Sequence, residues 1–487
     1  MSFHHLLRWQ GLLACLIAAV VSPGFSQSGS KPNVLFLFAD DYCFEVIRAA
    51  GDLGVETPHL DRLMERGTTF THAYNMGSWS PAVCIASRAM LITGRSVWRA
   101  EAIHGSMDRE RQSQQLWPQL LASVGYRTYM TGKWHIPIKA ETAFDEVAHV
   151  RPGMPRDFPE GYSRPQDGKP DAWDPADPKW GGYWEGGRHW SEVTADDTIG
   201  YLKRAREQKD QPFFIYAAFN APHDPRQAPQ DYLDKYPADR MRVPDNFLKE
   251  YPHAEAMGAP ASLRDEKLAP FPRTERSIQV NRREYYALIT HLDAQIGRIL
   301  DALKANGQDK TTWIFFTADH GLAVGQHGLM GKQNMYDHSL RVPFIVVGPG
   351  VKSGGKIAAP VYLQDVMATT LDLAGVKKPE QVYFNSVLPL LKKPRRAGFY
   401  PQIYGAYLDR QRAVVHDGYK LILYPTSKTV RLYHVARDPH ELKDLAADPK
   451  QNRRIQSLFA VLLSEQQALG DSLDLKTVYP DLARAGR

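Results

Sequence analysis

The chain has 487 residues, of which 43% are hydrophobic, and it carries a formal net charge of +6. A chain of this length can bury a large core and form two packed units, and no apolar run after the N-terminus approaches the roughly 20 residues that span a membrane. Basic and acidic residues are interspersed and no nucleic-acid-binding motif occurs, so we expect neither a nucleic-acid partner nor stable membrane insertion.

The N-terminal segment has the pattern of an export signal. Arg8 lies in a weakly basic start, residues 11–21 form a short apolar run, and the small residue Ser26 ends the segment. We therefore predict a signal peptide at residues 1–26 and an exported protein, periplasmic or secreted. Cys15 lies in a lipoprotein-like box, but the apolar run continues past it, which favours cleavage over lipid anchoring.

Residues 31–350 alternate short β-branched and aromatic runs with stretches of helical periodicity. The runs that we predict to be strands lie at residues 34–38, 127–130, 213–219, 313–316 and 342–347. Residues 116–124 and 281–304 have the spacing of helices that cover a sheet. The alternation predicts an α/β fold in which a large, mostly parallel sheet is sandwiched by helices. In such folds the functional site lies at the carboxyl ends of the strands.

Two stretches interrupt this pattern. Residues 151–190 and 221–275 are rich in Pro, Gly, Trp and Tyr and have little periodicity. Long irregular segments in a compact enzyme are often binding loops or lids, so we expect both to wall a substrate pocket. Aromatic rings there can stack on sugar faces, and packing within the loops is an equally good explanation for each ring.

The pattern of the sequence changes near residue 396. Short strand-like runs at residues 413–415, 420–424 and 430–433 are separated by turns, and a helical stretch follows at 453–469. We predict a catalytic domain at residues 31–395. A smaller C-terminal α+β subdomain with a four-stranded antiparallel sheet then occupies residues 396–487.

A lone cysteine opens an amphipathic segment in the stretch Ser80-Pro-Ala-Val-Cys-Ile-Ala-Ser-Arg-Ala-Met-Leu-Ile-Thr-Gly-Arg95. The pattern places Cys84 at a helix N-terminus, where backbone N–H groups attract anions, and Arg88 one turn later. Cys43 is the one other cysteine after the predicted signal peptide. A disulfide between the two is an alternative, and it would block any chemistry at Cys84.

Acidic residues end two of the predicted strands. Asp40 and Asp41 follow the first strand, and Asp319 and His320 follow a later one. Adjacent carboxylates repel each other, and a hard cation such as Ca²⁺ or Mg²⁺ relieves that repulsion. Taken alone, each acidic pair is explained equally well by a turn.

Basic residues follow other strands. Lys133 and His135 lie after the second strand, His223 after the third, and Lys332 in a glycine-rich loop. Individually these are ordinary surface or loop residues. Together they provide cations for an anionic ester and a proton donor for its leaving group.

Six motifs now occur in a recognisable order. They are Asp-Asp at 40–41, Cys-x-Ala-x-Arg at 84–88, Gly-Lys-x-His at 132–135, Pro-His at 222–223, Asp-His-Gly at 319–321, and Lys332. From about residue 31 to 446 the chain resembles the type I, formylglycine-dependent sulfatases of the alkaline phosphatase superfamily. In motif form it is most similar to iduronate-2-sulfatase-like and choline-sulfatase-like members.

The resemblance implies a cofactor, a modified residue and a maturation partner. Cys84 would be oxidised to formylglycine by a formylglycine-generating maturase, and one Ca²⁺ ion would be bound. The implied metal ligands are Asp40, Asp41, residue 84, Asp319 and His320. Many members have Asn where this chain has His320.

The resemblance also implies roles for the basic residues. Arg88 and Lys133 would hold the formylglycine and the sulfate, and His135 would assist breakdown of the covalent intermediate. His223, or Lys332 in its place, would protonate the leaving oxygen.

The expected activity is hydrolysis of a sulfate ester, on a sulfated carbohydrate or glycosaminoglycan-like polysaccharide. Two alternatives remain open at this point. One is a phosphonate or phosphate monoester hydrolase of the same superfamily. The other is an inactive homologue that binds sulfated glycans.

Overall fold

A computed structural model describes residues 31–484 except 52, 152, 154–156 and 209. The predicted signal peptide and Cys15 lie outside these residues. Among the helices that the structure describes, none combines the length and the apolar character needed to cross a bilayer.

The strands and helices are numbered in chain order. The strands β1 to β18 are Asn33–Ala39, Thr68–Phe70, Ala73–Tyr74, Gly77–Ser78, Arg127–Lys133, Glu146–Arg151, Tyr183–Trp184, Arg188–His189, Phe213–Ala218, Thr312–Ala318, Arg341–Val342, Phe344–Val347, Gly355–Ile357, Val361–Tyr362, Gln402–Tyr407, Gln411–His416, Tyr419–Tyr424 and Thr429–Tyr433. The helices α1 to α15 are Pro58–Arg66, Val83–Thr93, Val97–His104, Met107–Gln112, Trp117–Ala122, Trp190–Glu207, Gln230–Leu233, Ala254–Met257, Glu275–Ala305, Asp337–Leu340, Asp365–Leu373, Leu388–Lys392, Asn452–Leu469, Leu475–Val478 and Pro480–Arg484.

The large sheet is mostly parallel, as predicted. Its strand order is β13-β2-β12-β10-β1-β9-β5-β6, and β1 lies between β10 and β9 in parallel pairing with both. The run at residues 342–347 differs from the prediction of one strand. Pro343 divides it into β11, which joins a small second sheet, and β12, which pairs antiparallel with β10. Proline lacks the N–H that a continuous ladder requires at that position.

Both faces of the large sheet are covered. Phe36 and Phe38 of β1 contact Tyr216 of β9, and Phe36 also contacts Trp117 of α5. Successive side chains of a strand point to opposite faces, so Leu35 and Leu37 lie on the other face, and both are fully buried. Burial on both faces is what the uninterrupted apolar sequence of β1 predicts.

The predicted helix at residues 281–304 is the greater part of α9. This helix starts at Glu275, where the Thr274 hydroxyl accepts a hydrogen bond from the Ser277 N–H at 3.1 Å. Such a cap satisfies one of the N–H groups that a helix start leaves free. The helix packs against α1 and α6 with a largely buried surface.

The C-terminal sheet contains the four antiparallel strands that were predicted, β15 to β18, together with a fifth strand. That strand is β4, which pairs parallel with β15 although it lies more than 300 residues earlier in the chain. Gly77 of β4 has a φ of 95°, and a Cβ atom there would lie 1.9 Å from the Ala406 carbonyl oxygen. Glycine is therefore required for this close approach.

Candidate active site

Four neighbouring strands end at one edge of the large sheet and carry the site. The strands stand in the order β10, β1, β9 and β5. Asp319 follows β10, Asp40 and Asp41 follow β1, His223 lies just beyond β9, and Lys133 is the last residue of β5. Because parallel strands place their carboxyl ends together, residues nearly 300 positions apart meet here.

Cys84 enters this edge from helix α2. It is the second residue of the helix, whose last turn ends at Gly94 in the left-handed conformation. Its sulfur lies 3.4 Å from each of three atoms, Asp40 Oδ1, His320 Nε2 and Lys332 Nζ. The predicted position of Cys84 at a helix start is therefore what the structure has.

The alternative of a disulfide does not hold, because Cys43 and Cys84 are both free and buried. The Cys43 thiol donates to the carbonyl oxygens of Leu322 and His338 at 2.9 and 3.0 Å. Burial raises the pKa of Cys43 to about 12. Cys43 is thus a protonated structural residue in the described structure.

Three cationic side chains surround Cys84 and the carboxylates. The Arg88 guanidinium donates from Nε to Asp319 Oδ2 at 3.1 Å and from Nη1 to the Lys133 carbonyl at 2.8 Å. Lys133 Nζ pairs with Asp40 Oδ2, and Lys332 Nζ donates to both oxygens of Asp41 at 3.0 and 2.9 Å. All of these side chains are buried. An anion at this point would lie in a dry, positively charged environment, where electrostatic stabilisation is strong.

The electrostatics of Cys84 differ from those of Cys43. Burial opposes ionisation of the Cys84 thiol, but Lys133, Lys332 and His320 outweigh it and hold the pKa well below its usual value. A thiolate is the reactive form of cysteine. Of the two cysteines, Cys84 is therefore the one activated for chemistry.

The acidic groups fit a hard divalent cation. The ligand atoms of Asp40, Cys84, Asp319 and His320 lie within 4.8 Å of one another. Burial, Asp40 and Cys84 raise the pKa of Asp319 to about 8, although Arg88 and His320 oppose this shift. The carboxylate of Asp41 lies beside this set, and carboxylate oxygens are the donors that suit Ca²⁺ or Mg²⁺.

The His320 ring is oriented so that its Nε2 faces the cluster of Asp40, Cys84 and Asp319. Its Nδ1–H donates to the Gly321 carbonyl at 2.8 Å, which leaves Nε2 facing Asp41 Oδ1 at 3.3 Å. This arrangement fixes the tautomer whose Nε2 lone pair is available to a metal.

His223 and Lys332 form a coupled pair. His223 Nδ1 donates to the Asp224 carbonyl at 2.6 Å, and His223 Nε2 lies 3.0 Å from Lys332 Nζ. Burial and Lys332 oppose the imidazolium, yet Asp41 and Asp224 raise the pKa of His223 to about 10. Both groups face the Asp41 carboxylate, which offsets the repulsion between their positive charges and keeps a proton available on His223.

His135 completes the predicted set. It has a positive φ of 56° just after β5, and Gly153 packs against its ring. Burial lowers the pKa of His135, although its hydrogen bond to Cys84 opposes this shift. A neutral imidazole beside residue 84 can accept a proton. The structure thus brings together all ten residues singled out from the sequence.

Several supporting residues were not identified from the sequence. Asn75 Nδ2 and the Ser87 hydroxyl both donate to the Asp319 carbonyl oxygen, at 2.9 and 2.8 Å. Arg264 donates to Asp224 Oδ1 at 2.8 Å and thereby fixes the residue next to His223. Ser87 and Asp224 adjoin motif residues, which is a usable signal, whereas no local pattern indicates Asn75 or Arg264.

The two irregular segments contain short elements between long loops, as predicted. Trp173 and Trp180 stack on each other with ring centroids 4.9 Å apart, and both are buried. Trp184 is 36% exposed and contacts Trp190 edge to face. Packing within the loop therefore accounts for most of these rings.

Two family models match this chain. The model described as Sulfatase matches residues 32–376. The model described as N-sulphoglucosamine sulphohydrolase, C-terminal, matches residues 325–468.

Relatives and solved structures agree with these matches. A protein described as Sulfatase from Formosa agariphila is 28% identical over 463 residues, which is 89% of this chain and 86% of that protein. The N-acetylglucosamine-6-O-sulfatase of Bacteroides thetaiotaomicron is 24% identical, covering 95% of this chain and 90% of that protein. A solved structure in complex with its substrate, D-glucosamine-2-N,6-O-disulfate, superposes with a TM-score of 0.73 at 21% identity, covering 92% and 100% of the two chains.

Proposed function

This chain belongs to the sulfatase family and is a sulfuric ester hydrolase, and we propose that it removes sulfate from a sulfated carbohydrate by using residue 84 as the nucleophile. The observation that carries the proposal is the buried ring of cations around Cys84. Lys332 Nζ lies 3.4 Å from the Cys84 sulfur. Lys133 and Arg88 both face the Asp40 carboxylate. A sulfuryl group bound there would find its developing charge stabilised by groups that are already in place.

The proposed nucleophile is a formylglycine made from Cys84 by a maturase. The low pKa of this thiol and its place in the Cys-x-Ala-x-Arg motif support the modification. When present, the hydrated aldehyde supplies an oxygen nucleophile and a second hydroxyl through which the aldehyde is regenerated.

The proposed metal is one Ca²⁺ ion, held by Asp40, Asp41, Asp319, His320 and residue 84. The convergence of three buried carboxylates and the His320 Nε2, which faces Asp41 and Cys84, supports this assignment. When bound, the ion supplies positive charge that polarises the sulfuryl oxygens.

The proposed proton transfers use the two histidines. His223 protonates the leaving oxygen, and Lys332, 3.0 Å from its Nε2, can take its place. His135 accepts a proton during release of sulfate, which the lowered pKa of its buried ring supports. Arg88 and Lys133 hold residue 84 and the sulfate.

A carbohydrate substrate is supported by two of the similar proteins. One is named for N-acetylglucosamine-6-O-sulfate, and one is solved with a disulfated glucosamine. The finer resemblance to iduronate-2-sulfatase-like or choline-sulfatase-like members remains a prediction. So do the domain boundary at residue 396 and export through residues 1–26.

The test is a release assay on protein produced together with a formylglycine-generating maturase. We expect sulfate from 4-nitrophenyl sulfate and from sulfated monosaccharides, at rates at least about 100-fold above those for the matching phosphate and phosphonate esters. Preference for a phosphorus ester would favour the phosphonate or phosphate hydrolase. Binding of sulfated glycans without any release would favour the inactive homologue.

A further inference from the structure

A fifth strand extends the row of functional strand ends. Strand β6 lies beside β5 at the edge of the large sheet, and its last residue, Arg151, stands opposite Lys133 in the parallel register. The Trp134 N–H also donates to the Arg151 carbonyl at 2.8 Å. Arg151 therefore reaches the same edge of the sheet as the proposed catalytic residues, one strand beyond Lys133.

The Arg151 side chain is buried without a carboxylate partner among the residues that the structure describes. It is 7% exposed, its Nη2 donates to the Gly181 carbonyl at 2.5 Å, and its guanidinium lies over the Trp190 ring at 4.7 Å. Its Nη1 makes no hydrogen bond to any described residue. Burial lowers the pKa of Arg151 to about 10, so the group is still charged at neutral pH.

Several other buried arginines have carboxylate partners, whereas Arg226 and Arg282 are also buried and have none among the described residues. Arg88 pairs with Asp319, Arg164 pairs with Glu284, and Arg273 pairs with Glu266. A buried charge that lacks such a partner is costly, and removal of one partner from a buried pair costs about 3–5 kcal/mol. Arg151 differs from Arg226 and Arg282 in its position, because it lines a cavity together with His223 at the carboxyl edge of the sheet.

The cavity at Arg151 adjoins the proposed proton donor. It has a volume of about 20 Å³ and is lined by Arg151, Trp190, Asn220, His223 and Gln227, among others. The Asn220 side-chain oxygen has no hydrogen-bond partner among the described residues either. A space of this size admits the tip of a substituent and excludes a sugar ring.

Since His223 would protonate the leaving oxygen, a group in this cavity belongs to the alcohol part of the substrate. We propose that Arg151 determines specificity by binding a second anionic substituent of the substrate alcohol, a carboxylate or a second sulfate, next to the ester that is cleaved. This inference rests on the proposed function, and it adds that the alcohol released by hydrolysis carries a negatively charged group. A guanidinium fork binds both kinds of oxyanion through paired N–H donors.

The test compares matched substrates. One pair is a hexuronic acid 2-sulfate and its carboxyl-reduced counterpart, and the other is glucosamine 2-N,6-O-disulfate and N-acetylglucosamine 6-sulfate, whose acetamide is uncharged. We expect wild-type kcat/KM to favour the doubly anionic member of one pair by at least about tenfold, as a charge-assisted hydrogen bond provides. The pair that shows the preference identifies the anion as carboxylate or sulfate.

The variants are Arg151→Gln, Arg151→Lys and the control Arg204→Gln. Arg204 is half-exposed and contacts Glu146, which belongs to the same strand as Arg151, β6. Arg151→Gln should lower the preference ratio at least about tenfold, mainly through KM, with Arg151→Lys between it and wild type. Arg204→Gln should leave the ratio as it is. Equal losses for both members of the pair that shows the preference would overturn the proposal, because Arg151 would then hold the scissile sulfate or the fold.

Two further measurements separate this inference from the proposed function. The melting temperature of Arg151→Gln should equal or exceed that of wild type, since the change removes an unpaired buried charge. Millimolar glucuronate or glucosamine 2-N-sulfate, and not glucose, should stabilise wild type against heat, and Arg151→Gln should abolish the shift. That binding result stands even if no sulfate is released, in which case the proposed function alone fails. No preference and no stabilisation would refute the role of Arg151.

Discussion

At the scale of single residues, the two cysteines Cys43 and Cys84 differ in the pKa of their thiols because their neighbours differ. Burial and the nearby Glu45 carboxylate raise the pKa of Cys43 to about 12. Cys84 lies among Lys133, Lys332 and His320, which hold its pKa low. Burial raises the pKa of both thiols, and the cations near Cys84 decide which of the two is reactive.

The first prediction concerns these cysteines. Cys84→Ser should keep the fold and lose turnover by at least about 1000-fold, because an unmodified serine lacks the second hydroxyl that regenerates the nucleophile. Cys43→Ser is the matched control and should retain activity within a few-fold. The measurements are sulfate release and peptide mass spectrometry across residues 81–88. Near-normal turnover of Cys84→Ser with its serine shown to be unmodified would contradict the mechanism.

The sequence predicts well that the proposed site residues lie together at one edge of the sheet. Asp40, Asp41 and Lys133 each stand at the end of an apolar run that local periodicity reveals. Their supports are not predictable in this way. Arg264 reaches Asp224 across 40 positions of loop, and the path of that loop is set by packing.

At the scale of elements, strand β5 illustrates how a backbone distortion positions a side chain. Its pairing with β6 shifts register between Thr131 and Gly132, directly before Lys133. Gly132 has a φ of 90°, and a Cβ atom there would lie 1.9 Å from the Ala218 carbonyl oxygen. The bulge therefore depends on glycine.

The second prediction follows from this bulge. Gly132→Ala should lower the free energy of unfolding by more than about 2 kcal/mol and reduce kcat, because β5 must move away from β9. Gly125 has a similar φ of 95°, and apart from its chain neighbours no described residue has an atom within 4 Å of a Cβ position there. Gly125→Ala should cost only the backbone strain of about 1–2 kcal/mol and leave kcat unchanged. Denaturant unfolding and sulfate release distinguish the two, and equal effects would refute the steric explanation.

Helix α9 carries a titratable cap for helix α1. Asp293 accepts hydrogen bonds from the N–H groups of His59 and Leu60 at 3.0 and 2.8 Å. Burial outweighs these bonds and raises the pKa of Asp293 to about 7. The folded protein thus holds a proton that the unfolded chain releases above about pH 4.

The third prediction is the resulting pH dependence. The folded-state pKa is raised, so the contribution of Asp293 to stability is complete below about pH 4 and is lost as the pH rises towards 7. Relative to Asp293→Asn, wild type should lose about 3–4 kcal/mol of unfolding free energy across that range. Asp301→Asn, at an exposed position of α9, should follow the wild-type profile. A constant difference between wild type and Asp293→Asn from pH 4 to 7 would exclude the raised pKa.

At the scale of the whole molecule, the C-terminal sheet is continuous with the rest of the protein. Strand β4 joins it from residues 77–78, six positions before Cys84. A buried triad makes a second connection, in which Lys420 Nζ contacts Asp337 Oδ1 at 2.5 Å and Glu441 Oε1 at 2.8 Å. The C-terminal segment therefore supports the helix start that presents residue 84.

The fourth prediction tests that connection. Lys420→Ala should lower the free energy of unfolding by about 3–5 kcal/mol, because it leaves the two buried carboxylates of Asp337 and Glu441 without a counter-charge. Lys443→Ala, at an exposed lysine of the same segment, should change it by less than about 0.5 kcal/mol. Calorimetry or urea unfolding measures both, and an effect of Lys420→Ala no larger than that of Lys443→Ala would show that the triad does not stabilise the fold.

The sequence by itself determined the α/β class, the four strands β1, β5, β9 and β10, the positions of three of the four antiparallel C-terminal strands, and the ten residues that converge. These follow from short-range periodicity and from motifs that are contiguous in the chain. Only the tertiary structure decided that the run at 342–347 divides and that β12 runs antiparallel, that β4 completes the C-terminal sheet, and that Arg151 is buried with no carboxylate partner in the described part of the chain. Strand direction, sheet membership and the pairing of a charge depend on which distant segments pack together, and local sequence patterns do not encode that contact.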